Sequence, residues 1–289
     1  MYAIYRKEMK VYLSGMFGYL IMALLLLFMG LFVTAFNLIS GYTDLSYALS
    51  SMQWVLIVTV PFLSMRAIAE ERHNRTDQLL YSLPIPLWRI VMGKYLALVT
   101  LFLLPTALSF LYPLLLISFG APASATAISY TALVGYVLMV CALIAVCLFV
   151  SSLVENQIVA ALLSVLAALV FAFIDVLGTL VPSAPLASFA LCLVAALGIA
   201  ALMWVSTKNL TLGMIVAVIL VLPISLTYII RSALFASLVP DFLLSLNLFV
   251  RLGGFTYGHF DIPAAVFYLT LIGFFLFLTV QSAEKRRRA

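Results

Sequence analysis

Apolar residues arrive along this chain in long unbroken runs, and polar residues gather between them. Eight runs come close to the ~20 residues that a helix needs to cross hydrocarbon. They cover about 17–39, 48–66, 95–119, 129–152, 156–181, 186–205, 212–230 and 264–282. The second is the weakest, diluted by Ser50, Ser51, Gln53 and Pro61. The sixth and seventh are parted only by Ser206, Thr207, Lys208 and Asn209, which predicts a tight hairpin. The pattern predicts an all-α polytopic membrane protein of about eight transmembrane helices, with one transmembrane domain over 1–289. A segment of 33 residues, 231–263, is too long for a structureless loop. Its apolar stretch carries Pro240, Asp241 and Asn247, which predicts a re-entrant or interfacial pair of short helices.

Composition agrees: 66% of the 289 residues are hydrophobic, 9% are charged, and the mean hydropathy is +1.25. Soluble domains carry about 25% charged residues, so a water-soluble core is excluded. The three cysteines, Cys141, Cys147 and Cys192, all sit inside apolar runs and read as small buried hydrophobes rather than a disulfide framework. The first apolar run is too long for a signal peptide, and no small-residue cleavage site closes it.

The net charge of +5 matters less than where the charges lie. With eight spans both termini share one side. Arg6, Lys7, Lys10, Arg66, Arg72, Arg75, Arg89, Lys94, Lys208, Lys285, Arg286, Arg287 and Arg288 fall on that side, and only Arg231 and Arg251 on the other. Lysine and arginine accumulate on the cytoplasmic face, so the termini are expected there. Two glycosylation sequons, Asn74-Arg-Thr76 and Asn209-Leu-Thr211, then lie on the wrong side to be used.

The densest polar stretch runs from Met65 to Tyr95. Placing Arg66, Glu70, Glu71, Arg72, Arg75, Asp77, Arg89 and Lys94 at membrane depth would cost on the order of 20 kcal/mol, so the stretch lies outside the hydrocarbon. Ile68, Leu79, Leu80, Tyr81, Leu83, Ile85 and Leu87 interleave with these charges, which a disordered linker does not need. Asn74 or Thr76 suits the cap of a short helix, and Pro84 and Pro86 suit its end and the start of the next. Leu79, Leu80 and Leu83 share one side of that short helix and suit a groove on a soluble partner. At the N-terminus, Tyr2, Tyr5, Met9, Tyr12, Leu13 and Met16 share an arc of about 100°, with Arg6, Lys7 and Lys10 beside it. That is the pattern of an amphipathic interfacial helix over 1–16 lying on the lipid bilayer.

Several motifs then fall into line. Pro61-Phe-Leu-Ser-Met-Arg66, Ala69-Glu70-Glu71-Arg72, Thr76, Leu79-Leu80, Pro84-Ile-Pro86 and Gly93-Lys94-Tyr-Leu-Ala97 follow one another in order. Toward the C-terminus, Asp241 to Gly254 precedes Asp261-Ile-Pro and a last span that contains Tyr268 and ends in basic residues. In these stretches the chain resembles the permease subunits of type-2 ABC exporters, particularly the gliding-motility-type branch, in register over roughly 1–180 and 238–288. The resemblance implies a multi-pass protein of a cell membrane, in a bacterium the inner one, and transport by alternating access. It implies two ATPase subunits that bind ATP and Mg, with no cofactor in this chain. It also implies a second permease copy or a homologous permease to complete a dimer.

By the same resemblance, 67–94 is the coupling region through which ATP hydrolysis moves the spans. Its interface would comprise Arg66, Glu70, Glu71, Arg72, Arg75, Thr76, Leu79, Leu80, Leu83 and Pro84, the leucines filling a groove and the charges pairing at its rim or with the N-terminal elbow helix. Relatives of that branch usually have six spans, so 186–230 reads as an extra hairpin that widens the membrane domain or binds an accessory membrane or extracellular subunit. Asp175, Asn247 and Arg251 are the candidates for a cargo path.

Three alternatives are weaker. A secondary transporter would place ionisable residues at mid-membrane, where only Asp175 comes close. The Glu70-Glu71-x-x-x-Arg75 and Phe255-x-x-x-His259 patterns match those of CAAX-type intramembrane proteases, but the topology separates them by the ~30 Å of the bilayer core. No phosphate-binding G-x-x-x-x-G-K-(S/T) occurs, since Gly93-Lys94 is followed by Tyr95. The chain is therefore expected not to be an enzyme, and nothing in its charge pattern calls for a nucleic acid.

Overall fold

A computed structural model describes residues 1–73 and 85–288, and the described residues form helices joined by short connections, with no strand. The elements are α1 (Tyr2–Ser14), α2 (Met16–Phe32, running on as a π-helical turn over Val33–Ile39), α3 (Ser46–His73), α4 (Leu87–Ser109), α5 (Tyr112–Ser118), α6 (Ala123–Leu153), α7 (Gln157–Leu180), α8 (Pro185–Thr207), α9 (Leu210–Ile230), α10 (Leu238–Ser245) and α11 (Ile262–Arg288). Short 3-10 turns occupy Ser232–Phe235 and Val250–Tyr257. Among the described residues seven helical stretches are long and apolar enough to cross a membrane, and α9 joins Ser232–Ser245 across a bend of 116° as a broken span or a re-entrant loop. The segment expected to be re-entrant, 231–263, is thus built of short helices.

The chain divides into two compact units, Met1–Val170 with Leu248–Ala289, and Phe171–Asn247. In the first, α6 is the central helix. Ala142 to Leu148 are buried without a break, which requires neighbours on every side. Those neighbours are α3, α4, α5, α11 and the Val250–Tyr257 turn. Gly135 opens a notch for the Phe255 ring, since a Cβ there would lie 2.5 Å from Phe255 Cγ. Across the notch, the Thr131 hydroxyl donates to the Phe255 carbonyl at 2.9 Å. At the same end Asn37 donates to the Tyr42 and Asp44 carbonyls, and Asp44 caps α3 through the Ser46 N–H.

The first unit also brings the ends of two long helices together. The ends of α6 and α11 lie together, because the Ser282 hydroxyl donates to the Ser152 carbonyl and Arg286 pairs with Glu155. The start of α11 lies at the opposite end, a helix of 27 residues and roughly 40 Å away.

In the second unit, α8 and α9 pack against each other across a short turn. Lys208 takes a left-handed conformation with φ +52°, and the Asn209 side chain accepts from the Thr211 N–H to cap α9. At the far end of the hairpin the Phe189 and Tyr228 rings stack at 4.2 Å, with Phe235 edge-on to both.

Candidate functional site

The described part of the charged stretch occupies two places: the last two turns of α3 from Arg66, and the first two turns of α4 up to Lys94. Arg75, Thr76, Leu79, Leu80, Leu83 and Pro84, expected to form the docking helix, lie outside the described residues.

Lys94 is the centre of the site. Its side chain is 3% exposed, and its ammonium contacts Glu8 Oε1 of α1 at 3.0 Å, Glu71 Oε2 of α3 at 2.8 Å and the Ala67 carbonyl at 2.6 Å. An ammonium carries three donors and no acceptor, so each N–H has one oxygen. Glu71 is shared, because its Oε1 accepts from Lys7 Nζ at 2.9 Å. Burial works to lower the Lys7 pKa, but the hydrogen bond and charge of Glu71 and the charge of Glu8 outweigh it, so this ammonium is held above its ordinary value. Taking charges out of water costs several kcal/mol each, and the cost is offset only where partners are close and hydrogen bonds complete. The quartet therefore works as a unit.

The lock spreads beyond these four. Arg72 donates through Nη1 to the Ser152 carbonyl of α6. The Ser151 hydroxyl bridges the Met65 carbonyl and the Ala69 N–H, two groups that a helix would pair with each other. Ile4, Leu87, Ile90 and Ala283 form a small apolar cluster beside the charges. Gly93 makes room for it, since a Cβ there would meet Ile4 at 3.1 Å. Helices α1, α3, α4, α6 and α11 all meet at this junction.

The elbow helix packs one stripe against the protein. Ile4, Glu8 and Tyr12 are buried, one helical turn apart, and Tyr5 reaches the Thr100 hydroxyl at 3.2 Å. Tyr2 is 74% and Met16 83% exposed, and Met9 is half-buried. On that packed stripe Glu8 pairs with Lys94. The sequence reading passed over Glu8, Ser151, Ser152 and Glu155. Glu8 alone left a signal, an acid in register between Ile4 and Tyr12.

Residues 35–187, more than half of the chain, match the family described as ABC-2 family transporter protein. The chain belongs to that family. No curated protein and no solved structure matches it. The match begins in the π-helical turn of α2 and takes in α3, both flanks of the charged stretch, α4, α6 and α7. The ABC-2 permease is a multi-pass membrane component of an ABC transporter, and in this family ATP and Mg are generally used by a partner subunit.

Of the three cargo-path candidates, Asn247 and Asp175 belong to the second unit of the permease. Asn247 is buried and its amide donates to the Ala172 carbonyl at 3.4 Å; one turn along α7, Asp175 has a buried Oδ1 with no hydrogen-bond partner among the described residues. Arg251 belongs to the other unit, where its guanidinium lies 4.1 Å over the Phe267 ring. His259 precedes α11 and Glu70 and Glu71 lie beside its far end, so the two protease-like patterns sit at opposite ends of the first unit. No cluster of metal-binding side chains occurs among the described residues.

Proposed function

We propose that this ABC-2 permease is the membrane half of an exporter, driven through segment 67–94 by two separate ATP-binding subunits and completed by a second permease chain. Its motifs favour the gliding-motility-type branch and a bacterial inner membrane. The supporting observation is the Lys94 junction. A segment that receives a push must pass it on without yielding, and both flanks of this one are braced to each other and to α1 by buried, fully paired charges. The Ser151 and Arg72 contacts extend the brace to α6, the central helix, so movement at the segment reaches every span of the first unit. Closure of the ATP-binding subunits would then rock the spans between inward- and outward-open states. The thirteen-to-two division of basic residues supports a cytoplasmic placement of the junction.

The test is co-purification with the ATPase subunit, followed by hydrolysis. The Leu79→Asp/Leu80→Asp protein is expected to lose both the bound subunit and the stimulated hydrolysis. Retention of both would remove the coupling assignment.

A further inference from the structure

Beside the Lys94 lock lies a cavity of about 200 Å³, far more than the ~10–15 Å³ that admits one water. Its walls come from α1 (Lys7, Glu8, Tyr12), from Phe17 at the start of α2, and from α3 (Arg66, Glu70). Three observations point to an occupant. The Tyr12 side chain is 5% exposed, and its hydroxyl is buried without a hydrogen-bond partner among the described residues. Burial, with the charge of Glu8 second, holds the phenol well above its ordinary pKa, so it keeps its proton. Leaving such a group unmet is costly. Arg66 is held in place by the Phe17 ring, 4.7 Å from its centroid, and by Glu70 at 3.2 Å through Nε, while its Nη groups face no other described partner. Glu70 remains about one-third exposed.

The charges around the cavity cancel. Lys7 and Lys94 balance Glu8 and Glu71, and Arg66 balances Glu70. A lone anion would meet Glu70, and a lone cation would meet Arg66. A group that carries both signs a few ångströms apart satisfies both. The position selects further, because Gly15 and Phe17, where α1 turns into the first span, line the cavity, and Met16, Tyr19 and Leu20 of the same turn and helix are exposed. That is headgroup depth, with an apolar helix face below it for acyl chains.

We propose that this cavity binds the headgroup of a zwitterionic phospholipid with a primary ammonium, the phosphodiester meeting Arg66 and the Tyr12 hydroxyl and the ammonium meeting Glu70. A carboxylate accepts hydrogen bonds from a primary ammonium and none from a quaternary one, so phosphatidylethanolamine is selected over phosphatidylcholine. Bound there, the lipid fills the corner between the elbow helix and α3 and braces it. The site shares Arg66 and Glu70 with the expected coupling interface, but its binding is measured on the permease alone, so it is tested separately from the coupling role.

The test is titration of the delipidated full-length protein in detergent with phosphatidylethanolamine, phosphatidylcholine or phosphatidylglycerol, counting one-to-one adducts by native mass spectrometry. Phosphatidylethanolamine is expected to bind about tenfold more tightly than either of the others. Glu70→Gln, which keeps the shape, is expected to abolish the preference over phosphatidylcholine. Tyr12→Phe and Arg66→Gln are expected to weaken all three lipids, Arg66→Gln by about tenfold. Equal binding of the ethanolamine and choline lipids, tighter binding of phosphatidylglycerol, or an unchanged preference in Glu70→Gln would overturn the assignment. Competition by soluble phosphoethanolamine at the same concentration would also overturn it, because the ligand would then be a free solute.

Discussion

The junction of α1, α3 and α4 and the hairpin of α8 and α9 are both helix contacts in a membrane protein, built on opposite plans. The junction uses two carboxylates, two ammoniums, a backbone carbonyl and a glycine notch. The hairpin uses apolar side chains, a stack of aromatic rings and a capped turn. Only 17% of the α8 span is buried within the chain, against 67% of the α6 span to which the junction is tied. In lipid, apolar contact adds little drive for helices to associate, because acyl chains are equally apolar. A contact that must hold under load needs polar partners that lose more by separating. Among the described residues the junction has them and the hairpin does not, which is why the proposed force transmission is placed at the first.

The comparison can be broken most sharply at Lys94. Lys94→Met leaves Glu8 and part of Glu71 buried without their partner, and such losses typically cost about 3–5 kcal/mol. A large drop in the thermal midpoint of the purified protein is expected, whereas a change below about 1 kcal/mol would mean that the quartet is not the lock. Gly93→Val ranks next. It overpacks Ile4 at about 1–3 kcal/mol, and proteolysis at the α1–α2 elbow reads the loosening of α1. In the hairpin, Phe189→Leu removes ring contacts worth roughly 0.5–1.5 kcal/mol. It should lower stability modestly and leave ATPase stimulation intact; lost stimulation would erase the distinction between the two regions. The smallest effect belongs to Glu155→Gln. Glu155 is 69% exposed in its pair with Arg286, and exposed pairs are worth roughly 0–1 kcal/mol.

The spans were legible in the sequence because crossing a bilayer demands length and apolarity, both local properties. The π-helical end of α2 and the break between α4 and α5 were not legible, since a dihedral change of that kind leaves the apolar run unbroken. The charged flank was visible as a cluster outside the hydrocarbon, but nothing in its pattern showed that Lys94 is buried. Burial of a lysine depends on where two acids from distant helices arrive, and no spacing encodes the 86 residues between Glu8 and Lys94. The same limit explains the elbow helix. Its large apolar side chains mark a face suited to lipid, but the stripe that packs on α4 through Glu8 is set by a distant partner. Ser151 and Ser152 read as ordinary small residues of a membrane helix, and only their hydroxyl and carbonyl partners give them a role.

The most direct measurement of the central claim is the ATP-driven change in distance between two spin labels, one at Phe119 and one at Tyr257, on the permease with its ATPase subunit bound. In the unaltered protein, ATP binding should shift that distance. In Lys94→Gln the account predicts that the subunit still binds and hydrolyses ATP while the shift disappears. A shift of the same size in both proteins would contradict the claim that the Lys94 junction carries the push into the membrane.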